Sequence, residues 1–425
     1  MIQLTESQGK ARTLVSQSSF SLLTGGGGTG KTTLLAEWLR QTPDIPTGCF
    51  APTGKAAQRM EEAFLECGVS LGAKTIHSGL IPTQSGYNGR GWKFQFNREN
   101  PLPCSRVLID EFSMVGSMEC SWLLSAIGPN TQVVAIGDVG QLPPVGKGRP
   151  FKDMIDSGVF PNAHLTEVHR YAGRIAHVCK SVRDGQTIQP SPKLDLDPDA
   201  SEFGPENYRH IERRTSIQML ETIDLLCEKV KDRGFSPMKD MQVIVTRNDA
   251  GGICRKIVNP RLQQLLNPNG GRWSKCPFRI GDKVVCKRNA YREEYIQIGN
   301  KPEKTSGKLY TANGEDGIVH SIDDRAIFVQ FRDGMVRFGS GGYEREVVMG
   351  YALTTHSVQG SGYPIAAYMI DDCRLNDRQL VYTGLSRAKK IMFTVGRMAT
   401  LQGQLLSSNL QKRKTFLKER LLQGI

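Results

Sequence analysis

The chain has 425 residues, 39% hydrophobic and 23% charged, with 55 lysines and arginines against 42 aspartates and glutamates. That length holds two or three domains with cores of their own, and that balance excludes wholesale disorder. No apolar run is long enough to span a bilayer, the N-terminus lacks the layout of a secretion signal, and the formal charge of +13 favours a polyanion, nucleic acid ahead of an anionic membrane surface.

The opening stretch, LTESQ, places Thr5 and Gln8 just ahead of a short predicted helix. A side-chain amide offers a donor and an acceptor together, which suits the edge of an adenine. Residues 20–33, FSLLTGGGGTGKTT, organise the rest: an apolar run ends in glycines, and the glycines run into an amphipathic pattern of Leu34, Leu35, Trp38 and Leu39. Gly25, Gly26, Gly27, Gly28 and Gly30 let the backbone turn tightly and aim N–H groups at phosphate oxygens, and the helix beginning near Lys31 adds its dipole. Within Gly27-Gly28-Thr29-Gly30-Lys31-Thr32-Thr33, Lys31 is spaced to reach the β and γ phosphates of ATP and the Thr32 hydroxyl to hold Mg²⁺. The rival is a glycine-rich linker, which the flanking strand and helix patterns disfavour.

Residues 49–51 read as a short buried strand, Pro52 and Gly54 as a turn, and residues 56–67 as a helix. Thr53 and Lys55 then lie at a strand's carboxyl end, where open α/β sheets bind ligands; a phosphodiester backbone and a plain helix cap are the alternatives. His77 either contacts nucleic acid or fills a polar core position. Residues 79–103 carry Asn88-Gly89 and the alternation Trp92, Phe94, Phe96, a predicted β-hairpin insertion. Its aromatics either stack on a base pair as a separating wedge or cover the domain's flank.

RVLIDEFSMV supplies a strand ending in adjacent carboxylates: Asp110 to hold Mg²⁺, Glu111 to orient or deprotonate the attacking water. TQVVAIGD leads to Gln141, held before a rigid Pro-Pro as a sensor of the γ-phosphate. HLTEVHR places Arg170 after another short strand, as an arginine finger if it reaches a nucleotide from a neighbouring domain. A first α/β domain over residues 1–165 and a second over 166–425 are expected, with a loop at 185–207 and a helix, kinked at Pro260, in the second. Residues 276–345 change to short strands with Gly, Asn and Asp turns, as in a small β-barrel. The α/β pattern resumes with a polar loop carrying Thr355, His356, Gln359 and Gly360, then a helix carrying Arg387. Leu406, Leu410, Leu417 and Leu421 are expected on one face of a C-terminal docking helix. Ten cysteines without a Cys-x-x-Cys pair read as core hydrophobes in a reducing compartment rather than as a zinc site.

In order, LTESQ, GGGGTGKTT, APTGKAAQRM with TIH, LIDEFSM, GDVGQLPPV, LTEVHR, YALTTHSVQG and VYTGLSRAKK resemble the superfamily 1 DNA helicases of the 5′-to-3′ branch, RecD-like and Dda-type, nearly end to end. The resemblance implies two RecA-like domains with parallel sheets, a hairpin pin in the first and a small barrel in the second. It implies ATP and Mg²⁺ in the cleft between them, with single-stranded DNA across their tops. Gln8 then looks like the adenine reader, Lys31, Thr32, Asp110, Glu111 and Gln141 like the hydrolytic set, and Arg170 and Arg387 like fingers. Thr53, Lys55, His77, Trp92, Phe94, Phe96, Thr355 and His356 look like DNA contacts and Gly360 like a nucleotide contact. Where the family often has a lysine after the histidine, this chain has Ser357. The implied activity is ATP-driven translocation on single strands and unwinding of forked duplex in replication, recombination or repair. The missing secretion-signal layout points to the cytoplasm, and a monomer is expected, with single-strand-binding or other replication proteins as further partners. The rival is a nucleotide-switched single-strand-binding subunit that unwinds nothing alone.

Overall fold

The apolar run before the glycines becomes β1 (Phe20–Gly25), and β2 (Thr47–Ala51), β3 (Ala73–Thr75), β4 (Arg106–Ile109), β5 (Gln132–Gly137) and β6 (Asn162–Leu165) join it in one parallel sheet of order β3-β2-β4-β5-β1-β6. Alternation along the strands divides the side chains between two cores. Leu22, Val107, Ile109, Val133 and Ala135 go to one face with Phe50, Phe94 and Phe112. Leu23, Leu108, Val134 and Ile136 go to the other, beneath Leu34, Leu35, Trp38 and Leu39. The computed structural model describes residues 4–83, 93–167, 173–190, 206–271, 276–299, 301–339, 341, 343–373, 376–408 and 415–424. Two compact units divide the chain, residues 1–171 with 408–425, and residues 172–407.

The second unit opens with helix Arg174–Arg183, and its first strands are β7 (Tyr208–Glu212) and β8 (Met241–Val245). An antiparallel block follows: β9 (Lys283–Cys286), β10 (Ala290–Ile298), β11 (Lys301–Thr311), β12 (Asp316–Asp323), β13 (Ala326–Gln330), β14 (Met335–Gly339) and β15 (Val347–Met349). Its seven strands have the order β11-β10-β14-β13-β12-β9-β15 around a core of Val284, Cys286, Ile327, Val329 and Phe338. The stretch expected to form a small barrel is thus this seven-stranded sheet, which extends to Met349. Then β16 (Ala352–Thr354), β17 (Tyr363–Met369) and β18 (Ala388–Gly396) return to a parallel sheet of order β16-β8-β17-β18-β7. The two sheets are joined by a buried carboxylate. Asp282, 0% exposed, accepts hydrogen bonds from Gln263 Nε2 (2.5 Å), Asn267 Nδ2 (2.7 Å), the Arg279 amide (2.7 Å) and Tyr351 Oη (2.8 Å). Four donors offset the cost of burying that charge.

One expectation changes in three dimensions. The leucine stripe does not form one helical face, because Met398–Leu405 and Leu417–Leu422 are separate helices; Ser407 and Ser408 lie between them, and serine competes with the backbone for hydrogen bonds. Leu406 is 82% exposed, Leu410 lies outside the described residues, and Leu421 packs on the core of the first unit, where Thr415 also bonds Asp153. Pro260 sits inside a helix that continues from Arg255 to Leu266.

Candidate active site

The glycine loop owes its shape to contacts that a side chain would block. A Cβ on Gly25 would meet Thr29 Oγ1 at 2.7 Å and the Leu165 carbonyl at 2.8 Å. Gly28 and Gly30 sit at φ 79° and 76°, in the region that glycine occupies without penalty. Buried Thr29 locks the turn by donating to the Gly26 carbonyl at 2.9 Å. Gly30 starts helix Lys31–Arg40 without a side-chain cap, leaving the first amides of that helix for an anion. The Lys31 ammonium donates to the carbonyls of Gly25 (2.8 Å) and Gly26 (2.9 Å), which holds a positive charge at the loop. Thr32 and Thr33 occupy the first turn of the helix and are half-buried.

Gln8 is 5% exposed and its amide is engaged on both sides. Its Oε1 accepts from the Thr5 amide at 3.0 Å, its backbone amide donates to Thr5 Oγ1 at 3.4 Å, and its Nε2 donates to the Thr29 carbonyl at 3.3 Å. This capping box ties helix Glu6–Gln17 to the glycine loop.

At the end of buried β4, Asp110 Oδ1 accepts from the Glu111 amide at 2.8 Å. The Asp110 carboxyl is pushed up to about 6, first by loss of water and next by the neighbouring Glu111 charge, while the Glu111 amide, Lys31 and Arg59 pull it back. Lys31, Asp110 and Glu111 therefore share one electrostatic environment. Glu111 itself lies at φ 48°, ψ 37°, a left-handed conformation uncommon for a residue with a side chain. Strain of this kind, costing about 1–3 kcal/mol, persists where the surroundings over-determine it. After β5, Gly140 donates to Asp138 Oδ1 at 2.9 Å and the Gln141 amide to the Asp138 carbonyl at 3.1 Å. Gln141 is 4% exposed, and among the described residues its Oε1 has no hydrogen-bond partner. Such an orphaned acceptor is the kind of group a ligand or its water satisfies.

The described residues contain no group of three His, Cys, Asp or Glu side chains able to hold a metal ion. A hydroxyl and a carboxylate, Thr32 and Asp110, fit a magnesium ion that takes its remaining ligands from water and phosphate rather than from a protein cage. The raised carboxyl fixes a sign. An acid whose folded pKa lies above its unfolded value costs stability above that folded pKa, and the cost fades as pH falls through about 6 towards the ordinary value of 3.8. Asp110→Asn should therefore raise Tm at pH 8 relative to the wild type, with the two proteins converging near pH 4. A variant that melts lower at pH 8 would overturn this.

The residues read as DNA contacts divide. Thr53 caps helix Gly54–Glu66, its Oγ1 accepting from the Ala56 amide at 3.2 Å, so the plain-cap alternative holds for its hydroxyl. Lys55 is half-buried on the same helix, one turn before Arg59. His77 lies edge-on to Phe94 (5.7 Å) and Trp122 (5.4 Å), and burial lowers its pKa. Phe94 is 8% exposed and belongs to the core, with Phe96 packed against it. This corrects the wedge for Phe94: the ring covers the flank, because it fills space between His77 and Trp122. Residues 81–83 and 93–96 pair through the Pro82–Phe94 bridge and the bonds Thr83 N to Lys93 O (3.0 Å) and Gln95 N to Ile81 O (2.8 Å). Trp92, at the predicted hairpin, lies outside the described residues, as does Arg170. Phe94→Ala should cost the first unit about 3 kcal/mol, read as a lower urea midpoint; an unchanged midpoint would return Phe94 to the surface role.

In the second unit Thr355 is fully buried, with Oγ1 3.4 Å from the Val245 carbonyl, whereas His356 and Ser357 are exposed after β16. The Ser357 hydroxyl lies 2.9 Å from Thr354 Oγ1, and Gly360 has φ 72°. Arg387 is 3% exposed, and its guanidinium donates to Thr383 O (2.9 Å), Ser361 O (3.0 Å) and Ser386 Oγ (2.8 Å). Arg59, a further charge acting on Asp110, carries one signal in the sequence, its spacing four residues after Lys55.

The family model described as an AAA domain matches residues 3–195. The ATP-dependent RecD2 DNA helicase of Deinococcus radiodurans is 29% identical over 427 residues, covering 98% of this chain and 52% of that protein. The chain thus spans about half the length of that relative. The RecBCD enzyme subunit RecD of Buchnera aphidicola subsp. Schizaphis graminum is 31% identical over 450 residues, covering 87% of this chain and 69% of that protein. The subunit of the same name from Mycolicibacterium smegmatis is 27% identical over 450 residues, 98% of this chain and 74% of that one. Among solved structures, two coordinating Pif1 helicases at forked double-stranded DNA (TM-score 0.54, 19% identity, 100% and 98% covered) and Bacteroides Pif1 bound to single-stranded DNA (TM-score 0.51, 19%, 97% and 96% covered) share the fold.

Proposed function

Because this chain belongs to the RecD helicase family, we propose that it is an ATP-dependent DNA helicase that translocates 5′-to-3′ on single strands and opens forked duplex. The observation that carries the reading is the glycine loop with Lys31 on it, in electrostatic reach of Asp110, next to which stands the strained Glu111. The loop amides and Lys31 would bind and orient the phosphates of ATP as substrate. Thr32 and Asp110 would hold Mg²⁺, which supplies charge neutralisation on the phosphates when bound. Glu111 would orient the attacking water and receive its proton, while Gln141, with its unsatisfied carbonyl, would report on the terminal phosphate. Gln8 would act on the base side through its link to the loop.

Carried over from the family, Arg170 and Arg387 are the proposed fingers, and Arg387 must then exchange its three present acceptors for phosphate oxygens. His356, Lys55 and Trp92 are the proposed DNA contacts that remain. The RecA-like description of both parallel sheets, the strand-separating pin and the compact barrel belong to the same proposal, as do the domain limits near residue 165 and the monomeric state.

A forked duplex with only a 5′ tail or only a 3′ tail tests the reading. Unwinding of the 5′-tailed fork alone, with ATP consumed, is the expected result. Hydrolysis without unwinding of either fork would instead favour a nucleotide-switched subunit of a larger complex; the RecD relatives are named as enzyme subunits.

A further inference from the structure

The outermost parallel strand of the second unit borders a cleft that the proposed motor does not use. On β7, Tyr208 and His210 point to one face, where Tyr208 Oη and His210 Nδ1 lie 2.9 and 3.0 Å from the Thr394 hydroxyl. Alternation sends Arg209 and Ile211 to the other. On that second face helix Ser216–Asp232 contacts β8 and β18, the strands inward of β7, and a cleft of about 730 Å³ opens between the helix and β7. A smaller one of about 500 Å³ shares Glu212, Arg213, Thr222 and Leu225 with it.

The lining is apolar below and basic above. Ile211 and Phe393 form the floor, and Leu225 stands 43% exposed on the helical wall. Arg209 and Lys229 are exposed at the rim. Arg213, also in the lining, is fixed by donating to Thr222 Oγ1 and the Glu212 carbonyl, both at 2.7 Å. Glu212 does not answer these charges, because its carboxylate lies on the His210 face, 3.0 Å from His210 Nε2, and accepts from the Met398 amide at 2.9 Å. Asp232 is the acid left on the helical side of the larger cleft.

We propose that this cleft binds an acidic peptide segment of a partner protein, one that alternates carboxylates with bulky apolar side chains. Each part of such a segment has a counterpart. The floor and Leu225 would gain from covering by apolar groups. Arg209, Arg213 and Lys229 attract carboxylates and speed encounter at low salt. A strand at the edge of a sheet can also pair its outer backbone groups with an extended peptide. Nucleic acid is the poorer fit, because the rings that line the cleft, Phe393 at 3% exposure and half-buried Phe235 packed on the core, offer no open aromatic platform for bases.

The test titrates the full chain into a fluorescein-labelled decapeptide in which aspartates alternate with phenylalanine and leucine, read by anisotropy at low salt. Saturable binding with Kd on the order of 10 µM is expected. The double charge reversal Arg209→Glu with Lys229→Glu should weaken it at least ~10-fold, as should Leu225→Asp alone, with DNA-stimulated ATP hydrolysis unchanged. Absence of binding, equal binding by the variants, or equal binding of a peptide with lysines in place of the aspartates would overturn the proposal. Displacement of the labelled peptide by oligothymidine would assign the cleft to nucleic acid instead.

Discussion

Lys31→Ala should reduce DNA-stimulated ATP turnover by on the order of 10³-fold, the ~4 kcal/mol that a charged donor on a transferring phosphoryl group contributes. The fold should survive, because Lys31 makes its bonds to two loop carbonyls and is only half-buried. Its removal leaves the lock between Thr29 and Gly26 in place. Single-stranded DNA should still bind, with log Kd rising with log salt by about 0.7 per phosphate contacted, as in the wild type. Turnover within tenfold of wild type would remove Lys31 from the site, whatever happened to DNA affinity.

Glu111→Gln should lower kcat by roughly 10²–10⁴-fold while nucleotide affinity stays within a few-fold, because a group that handles the proton of the attacking water acts in the transition state and contributes little to the ground state. The substitution also withdraws a negative charge that raises the Asp110 carboxyl, so the pKa of Asp110 should fall towards the ordinary carboxylate range. A third variant separates chemistry from geometry. Glu111→Gly should be as inactive as Glu111→Gln yet escape the strain of φ 48°, so its thermal midpoint should not be lower than that of the glutamine variant. Retained turnover in either variant would leave the left-handed turn after β4 without a catalytic reason.

The glycine loop was legible because its chemistry is local: glycines, lysine and threonine in register after an apolar run admit few conformations. The two parallel sheets were legible for a related reason, since strands buried on both faces read as continuous apolar runs. The aromatic hairpin shows the opposite case. Alternation of Trp92, Phe94 and Phe96 says that a strand-like segment is present, but not which of its faces meets the core. Phe94 lies against His77 and Trp122, from elements on either side of it in sequence, a placement that alternation does not encode.

What the sequence determined by itself is the glycine loop that carries Lys31 and the strand ends that carry Asp110 and Gln141, because spacing along a backbone of fixed geometry sets which groups a single turn can present. Packing decided the rest. It assigned the Thr53 hydroxyl to a helix cap, gave the Arg387 guanidinium three acceptors within its own unit, left Gln141 Oε1 without one, and opened the cleft beside β7. Those outcomes depend on which distant atoms compete for a donor or cover an apolar surface, and that competition exists only once the chain has closed on itself.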